Sequence, residues 1–154
     1  MKKEKFINNK QDKRWIIDSF KSYLERKNLK YTKQRENILF TILENDQHMS
    51  AEEISNLVRK KYPQCGLATV YRTLVHLYKA KVINKYNFSE DKVLYELKEP
   101  NRHHDHFFCV KCNHIIEEFS SKDIEEIYKN LAKKVNFKLF NHHAVLFGSC
   151  KNCQ

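Results

Sequence analysis

Glycine and proline are nearly missing from this chain, at two residues each in 154. With so few, each marks something: Pro63 and Gly66 bracket a short connection, Pro100 lies in the polar joint Glu99-Pro100-Asn101-Arg102, and Gly148 precedes a cysteine pair. Long apolar runs are missing too, and nothing approaches the roughly 18 residues of a membrane-spanning helix. The leader MKKEKFINNKQDKRW carries charge with no apolar stretch behind it, so it does not read as a signal peptide. There is no internal repeat beyond a duplicated CxxC, no low-complexity tract, and no HExxH or comparable catalytic motif, which speaks against an enzyme. Acidic residues are the last shortage, 19 Asp and Glu against 29 Lys and Arg, for a net charge of +10.

That basic excess is uneven. Residues 1 to 90 hold 19 Lys/Arg against 10 Asp/Glu, whereas residues 91 to 154 hold 10 against 9. A polyanionic partner for the first lobe, most simply nucleic acid, accounts for the asymmetry, although a solvated basic surface or an anionic membrane gives the same count. The charge break coincides with the joint near residues 98 to 103, so the chain reads as bipartite.

In the first lobe, Trp15, Ile16, Phe20, Tyr23 and Leu24 recur at helical spacing, and a second helix starting near Thr32 turns Ile38, Leu39, Ile42 and Leu43 inward. Ser50-Ala51-Glu52-Glu53 is a capping-box pattern that opens a third helix with Ile54, Leu57 and Val58 on one face. A fourth runs from about Ala68 to Lys79 and buries Val70, Leu74 and Leu77. The period then changes, and Val82 to Phe88 and Lys92 to Leu97 flank the polar turn Ser89-Glu90-Asp91-Lys92 as a β-hairpin. Helices followed by such a hairpin make a winged helix-turn-helix. Its last helix would enter a major groove, offering Thr69, Tyr71, Arg72 and Thr73, with His76 further along. Arg72 suits a guanine edge, and Tyr71 suits a thymine methyl or a phosphate. Lys10, Lys13, Arg14 and Lys21 in the leader and Lys30, Lys33 and Arg35 around the second helix are candidate phosphate contacts, or simply a solvated face.

The second lobe carries the metal chemistry. Cys109-Val110-Lys111-Cys112 and Cys150-Lys151-Asn152-Cys153 are spaced so that two tight turns each present two sulfurs to one tetrahedral zinc ion. A pair of redox dithiols is the alternative, but neither CxxC sits between a strand and a helix as a thioredoxin site does. The fifth cysteine, Cys65, reads as a buried or half-buried side chain. With four of five cysteines claimed by a metal, a cytoplasmic location is expected. His103-His104-Asp105-His106 runs into Phe107-Phe108-Cys109, and on a strand His104 and His106 face one way while His103 and Asp105 face the other. Ile115 to Phe119 reads as another strand carrying Glu117 and Glu118. A helix capped by Ser120 or Ser121 follows, with Ile124, Ile127 and Leu131 inward, and Phe137 to Phe147 supplies further strand with His142 and His143. Mixed nitrogen and oxygen ligands suit Fe(II), Mn(II), Co(II) or Zn(II).

Taken together, Leu29-Lys30-Tyr31-Thr32-Lys33-Gln34-Arg35, Gly66-Leu67-Ala68-Thr69-Val70-Tyr71-Arg72-Thr73-Leu74, Tyr95-Glu96-Leu97, the His103 to Cys112 run and Cys150 to Cys153 resemble the ferric uptake regulator family, in family order over residues 29 to 153. The resemblance implies an α+β chain that binds inverted-repeat duplex DNA as a homodimer or higher oligomer. Residues 1–98 would form a winged-helix DNA-binding domain with an N-terminal helical extension, 99–102 a hinge, and 103–154 a small α/β dimerisation domain with the four-cysteine zinc site. It implies a regulatory metal on His48, Glu96, His104, His106 and Glu117, and a second metal on His103, Asp105, Glu125 and His142. Glu118 competes with Glu117, because this strand reads Glu117-Glu118-Phe119 where the family usually has a single glutamate, and Glu126 competes with Glu125. Peroxide-sensing members tend to carry aspartates where Glu96 and Glu117 stand and to lack the Tyr71-Arg72 pair, and zinc-responsive members arrange the histidines differently. The resemblance therefore leans toward an iron-responsive repressor of metal homeostasis genes, using Fe2+ with Mn2+ or Zn2+ as alternatives. Peroxide- or zinc-sensing relatives and a redox-switched zinc module are the other readings.

Overall fold

The computed structural model of this chain describes residues 10–45, 47–89, 92–98, 104–119, 122–140 and 142–154. Two compact units make it up, Met1–Lys98 and Glu99–Gln154. The expected hinge at 99–102, the candidate ligand His103, the turn residues Glu90 and Asp91, and the candidate caps Ser120 and Ser121 lie outside the described residues. No helix among the described residues is long and apolar enough to cross a membrane.

The first unit is four helices followed by a hairpin: α1 (Lys10–Arg26), α2 (Lys33–Glu44), α3 (Ala51–Lys61), α4 (Leu67–Lys79), β1 (Ile83–Ser89) and β2 (Lys92–Leu97). The starts follow local chemistry. Thr32 Oγ1 accepts the Arg35 backbone N–H at 3.4 Å, and Ser50 with Glu53 closes the expected capping box through bonds of 3.1 and 2.7 Å. Ile16, Phe20 and Leu24 of α1, Ile38, Leu39 and Ile42 of α2, Ile54 and Val58 of α3, and Val70, Leu74 and Leu77 of α4 are at most 1 % exposed. Full burial of each such side chain is worth about 1.5–3 kcal/mol, enough to hold four short helices together. Trp15 departs from expectation: it lies one position off the stripe of Ile16, Phe20 and Leu24 and is 46 % exposed.

The shortage of glycine is met in an unusual way. Asn28, Lys81, Asn113 and Asn136 are the described residues with positive φ, and neither glycine is among them. Three helices end in the Schellman pattern, in which a left-handed residue lets two amides cap the last turn. After α1 the bonds are Leu29 N–H to Leu24 and Asn28 N–H to Glu25, after α4 they are Val82 N–H to Leu77 and Lys81 N–H to Tyr78, and after the helix that ends near Lys134 they are Phe137 N–H to Ala132 and Asn136 N–H to Lys133. Asparagine tolerates this conformation far better than lysine does. Lys81→Gly is therefore expected to stabilise the first unit by about 0.5–1 kcal/mol, read as a higher urea midpoint at unchanged slope.

The second unit is a three-stranded sheet with one helix: β3 (His104–Cys109), β4 (Ile115–Phe119), α5 (Lys122–Lys134) and β5 (Val145–Gly148), closed by a 3-10 turn at Lys151–Cys153. The strand order is β4-β3-β5. β3 runs antiparallel to β4 and parallel to β5. Two expectations fail here. The strand expected over Phe137 to Phe147 reduces to Val145–Gly148, because Asn136 turns the chain in a left-handed conformation and Phe137 and Phe140 stand 63 % and 84 % exposed. Nor do Ile124, Ile127 and Leu131 turn inward, since all three are exposed and Ala132 alone is buried among the described residues of α5.

Candidate functional site

The parallel pairing of β3 with β5 explains how two CxxC segments distant in sequence meet. Its register sets Cys109 opposite Gly148, so the first pair begins where β3 ends and the second begins just past the same end of β5. Asn113, in the left-handed region, returns the chain after the first pair and donates its N–H to Cys109 O at 2.9 Å. The second pair is wound by the 3-10 turn, with Cys153 N–H bonded to Cys150 O at 2.8 Å. The four sulfurs lie within 4.8 Å of one another, and Cys112 Sγ is 3.7 Å from Cys150 Sγ. A tetrahedron of sulfurs about 2.3 Å from zinc has edges of about 3.8 Å, so the nest fits that ion.

Its protonation chemistry also calls for a cation. The Cys150 backbone N–H, 3.3 Å from Cys109 Sγ, and then that of Cys112 hold the Cys109 thiol down at about 6. Hydrogen bonding to Cys112 and then to Cys150 pushes Cys153 up to about 12. A cation among the four sulfurs would offset the charge of four thiolates held this close together. Cys65 is not one of these four and belongs to the first unit, 2 % exposed, with burial pushing its thiol up.

Within the first unit, His48 and Glu96 form a second centre. Met49 and Tyr95 make an isolated antiparallel bridge, with N–H to O distances of 3.0 and 2.8 Å, and their sequence neighbours His48 and Glu96 meet beside it. His48 Nε2 is 2.8 Å from Glu96 Oε2, and both side chains are about nine-tenths buried. The other carboxylate oxygen accepts Tyr86 Oη–H at 2.7 Å and Asn84 Nδ2–H at 3.1 Å. The rings of Tyr86 and Phe88 stand 5.9 and 6.5 Å from the imidazole. A buried carboxylate oriented through one oxygen, with the other turned to an imidazole, is an arrangement that could hold a metal ion. Asn84 and Tyr86 are not among the sequence candidates, although Asn84 is the cross-strand partner of Glu96 in the hairpin register, which is the available signal.

Within the second unit, His104 and His106 occupy one face of β3, their ring centroids 4.8 Å apart. His106 is fully buried. The β3–β4 register pairs His106 with Glu117 and Asp105 with Glu118. Directly paired residues share a sheet face, so Glu117 stands with the two histidines and Glu118 with Asp105. On the other set, His142 Nε2 lies 3.7 Å from Glu125 Oε1, with the Tyr128 ring 4.4 Å from the imidazole. Asp105 is buried, and Glu126 is exposed.

Of the candidate DNA-facing residues, Tyr71 and Arg72 are exposed on α4, and Thr69 is half-buried. Arg72 Nη2 lies 3.4 Å from Thr69 Oγ1. Thr73 is corrected: at 1 % exposure it belongs to the buried stripe of Val70, Leu74 and Leu77. Its hydroxyl donates to Thr69 O at 2.8 Å, which satisfies the polar group and lets threonine occupy a core position. Lys13, Arg14, Lys30 and Lys33 are exposed and Arg35 is half-buried. Some are partly spent on local partners, Arg14 on Asp18 at 3.8 Å, Lys33 on Glu36, and Arg35 on Lys30 O. Tyr71 donates its hydroxyl to Glu52 Oε1 on α3, and that bond holds the Glu52 carboxyl below its ordinary range.

Residues 26–147 match the family model of the ferric uptake regulator family. The chain is 40 % identical over 142 residues to the ferric uptake regulation protein of Bacillus subtilis, covering 89 % of this chain and 93 % of that one. Its fold is similar to the Helicobacter pylori ferric uptake regulator, described as having three functional metal binding sites. The TM-score is 0.78 at 33 % identity, over 92 % of this chain and 93 % of that one. The ferric uptake regulator of Francisella tularensis with iron is similar at a TM-score of 0.71 and 32 % identity, over 81 % of this chain and 94 % of that one.

Proposed function

This chain belongs to the ferric uptake regulator family, and from that membership and its ligand geometry we propose that it is an iron-responsive repressor that binds duplex DNA as a homodimer. It is a metal-responsive regulator, and no catalytic role is assigned to any of its residues. Cys109, Cys112, Cys150 and Cys153 would hold a structural zinc ion. His48, Glu96, His104, His106 and Glu117 would hold the regulatory ion, and His103, Asp105, Glu125 and His142 a second one. The observation that carries this reading is the buried His48–Glu96 pair, with Glu96 held in place by Tyr86 and Asn84.

His48 and Glu96 precede residue 98 and the remaining regulatory ligands follow residue 103. An ion taking ligands from both groups restricts how the two units are oriented. If one orientation binds the ion about a hundredfold more tightly, the equilibrium shifts by about 2.7 kcal/mol, enough to turn DNA binding on. In the DNA-bound dimer, Tyr71 and Arg72 read base edges while Lys13, Arg14, Lys30 and Lys33 contact phosphates. The apolar surface of the second unit, Phe107, Ile116, Ile127, Leu131, Leu146 and Phe147, exposed in the single chain, is what a second copy would cover. The protein would act in the cytoplasm.

DNA binding titrated with Fe(II), Mn(II) and Zn(II) at buffered free concentrations tests the metal assignment. Fe(II) and Mn(II) are expected to activate binding with the zinc site already filled. A response confined to zinc would sink the iron reading, since affinity order alone favours zinc over iron at such ligands.

A further inference from the structure

The hydroxyl of Tyr71 is already engaged in the protein by a carboxylate that the metal chemistry does not use. Glu52 is the second residue of α3, fixed by the capping box of Ser50 and Glu53, and Tyr71 lies in the second turn of α4 with its side chain 43 % exposed. An anion on a basic DNA-facing unit opposes phosphate contact unless it does something else there. Here it accepts the tyrosine hydroxyl. That bond turns the phenol's one donor toward the protein and leaves the ring to present itself outward.

We propose that Glu52 is a positioning residue for sequence reading: by holding the Tyr71 hydroxyl it directs the ring toward a base edge and keeps the hydroxyl from phosphate. This rests on the reading of α4 as the DNA-facing helix. A rigid aromatic discriminates between bases through contact with groups such as the thymine methyl, whereas a phosphate contact carries no sequence information. Preorganising the ring before DNA arrives removes an ordering cost from binding.

The test uses the full chain loaded with zinc and Mn(II), and duplexes that the wild type enriches from a random pool. Glu52→Ala and Tyr71→Phe are each expected to weaken binding to the enriched duplex about three- to tenfold, and to relax base preference at the same position. The double variant should lose no more than the worse single, because both remove one interaction. Glu52→Gln, whose amide oxygen also accepts the hydroxyl, should restore most of the affinity and the preference. Binding to a scrambled duplex should not weaken in any variant, and Glu52→Ala and Glu52→Gln should rise there alike because both remove the anion. Additive losses overturn the inference, as does an equal gain for Glu52→Ala and Glu52→Gln on every duplex, which is what a merely repulsive anion gives. A wild-type chain that enriches no sequence overturns the DNA-binding reading and this inference with it. Enrichment by the wild type with additive losses in the variants overturns this inference alone.

Discussion

Cys109→Ser is expected to release the zinc and unfold the second unit while the first stays folded. The buried side chains of that unit among the described residues are Asp105, His106, Phe108, Cys109 and Ala132, two of them polar and one a cysteine of the four-sulfur nest. Such a core supplies only a few kcal/mol of burial, far short of the conformational entropy of ordering the segment. Zinc on four thiolates contributes on the order of 10–16 kcal/mol near neutral pH, so an ion held by these four cysteines would be the larger part of what holds this unit. The first unit has its own core of four helices and needs no such help. Zinc content by atomic emission, with helicity and tyrosine fluorescence followed through a urea titration, would show about one zinc fewer per chain and a lost transition. Cys65→Ser is the control, since Cys65 belongs to the first unit and is not one of the four clustered cysteines, and it should keep its zinc. A Cys109→Ser chain that retains full zinc and both transitions refutes the assignment.

Glu96→Gln and His48→Ala should each cost at least about a hundredfold in metal-activated DNA affinity, with the structural zinc untouched. The glutamine variant is the sharper of the two. Its amide oxygen can still accept from Tyr86 and Asn84, which bond one oxygen of Glu96, so the wall of the site is kept while the anionic ligand is lost. Glu96→Ala would confuse the two effects, because stranding those buried donors costs about 1–3 kcal/mol of stability by itself. The measurement is operator affinity with and without Mn(II), alongside zinc content and thermal midpoint. Unchanged metal dependence in Glu96→Gln would show that the His48–Glu96 pair is structural and that the regulatory ion binds elsewhere.

Several features follow from short stretches of chain. Paired CxxC spacing announces a tetrahedral sulfur site because four residues are enough to make the turn that presents two thiolates. Helices α2 to α4 and the hairpin are legible from period and capping, and Thr32 and Ser50 cap the helices they precede. Thr73 escapes such a reading because its residue type suggests a polar face, whereas its position, three after Val70, puts it on the buried stripe. The stripe of Ile124, Ile127 and Leu131 does form one face, but amphipathic spacing says nothing about whether the chain supplies a partner for that face.

The sequence by itself marked most of the elements, the paired cysteines, the basic first lobe and the family, because spacing, capping and charge act within a few residues of one another. The tertiary structure alone decided what depends on register. Parallel pairing brings the second CxxC to the first, the β3–β4 register chooses Glu117 over Glu118 as the neighbour of His106, and the Met49–Tyr95 bridge seats His48 on Glu96. Packing of α3 against α4 gives Glu52 the hydroxyl of Tyr71. A one-residue slip in any strand would send these side chains to the opposite face, and local sequence cannot encode the register of two strands distant along the chain.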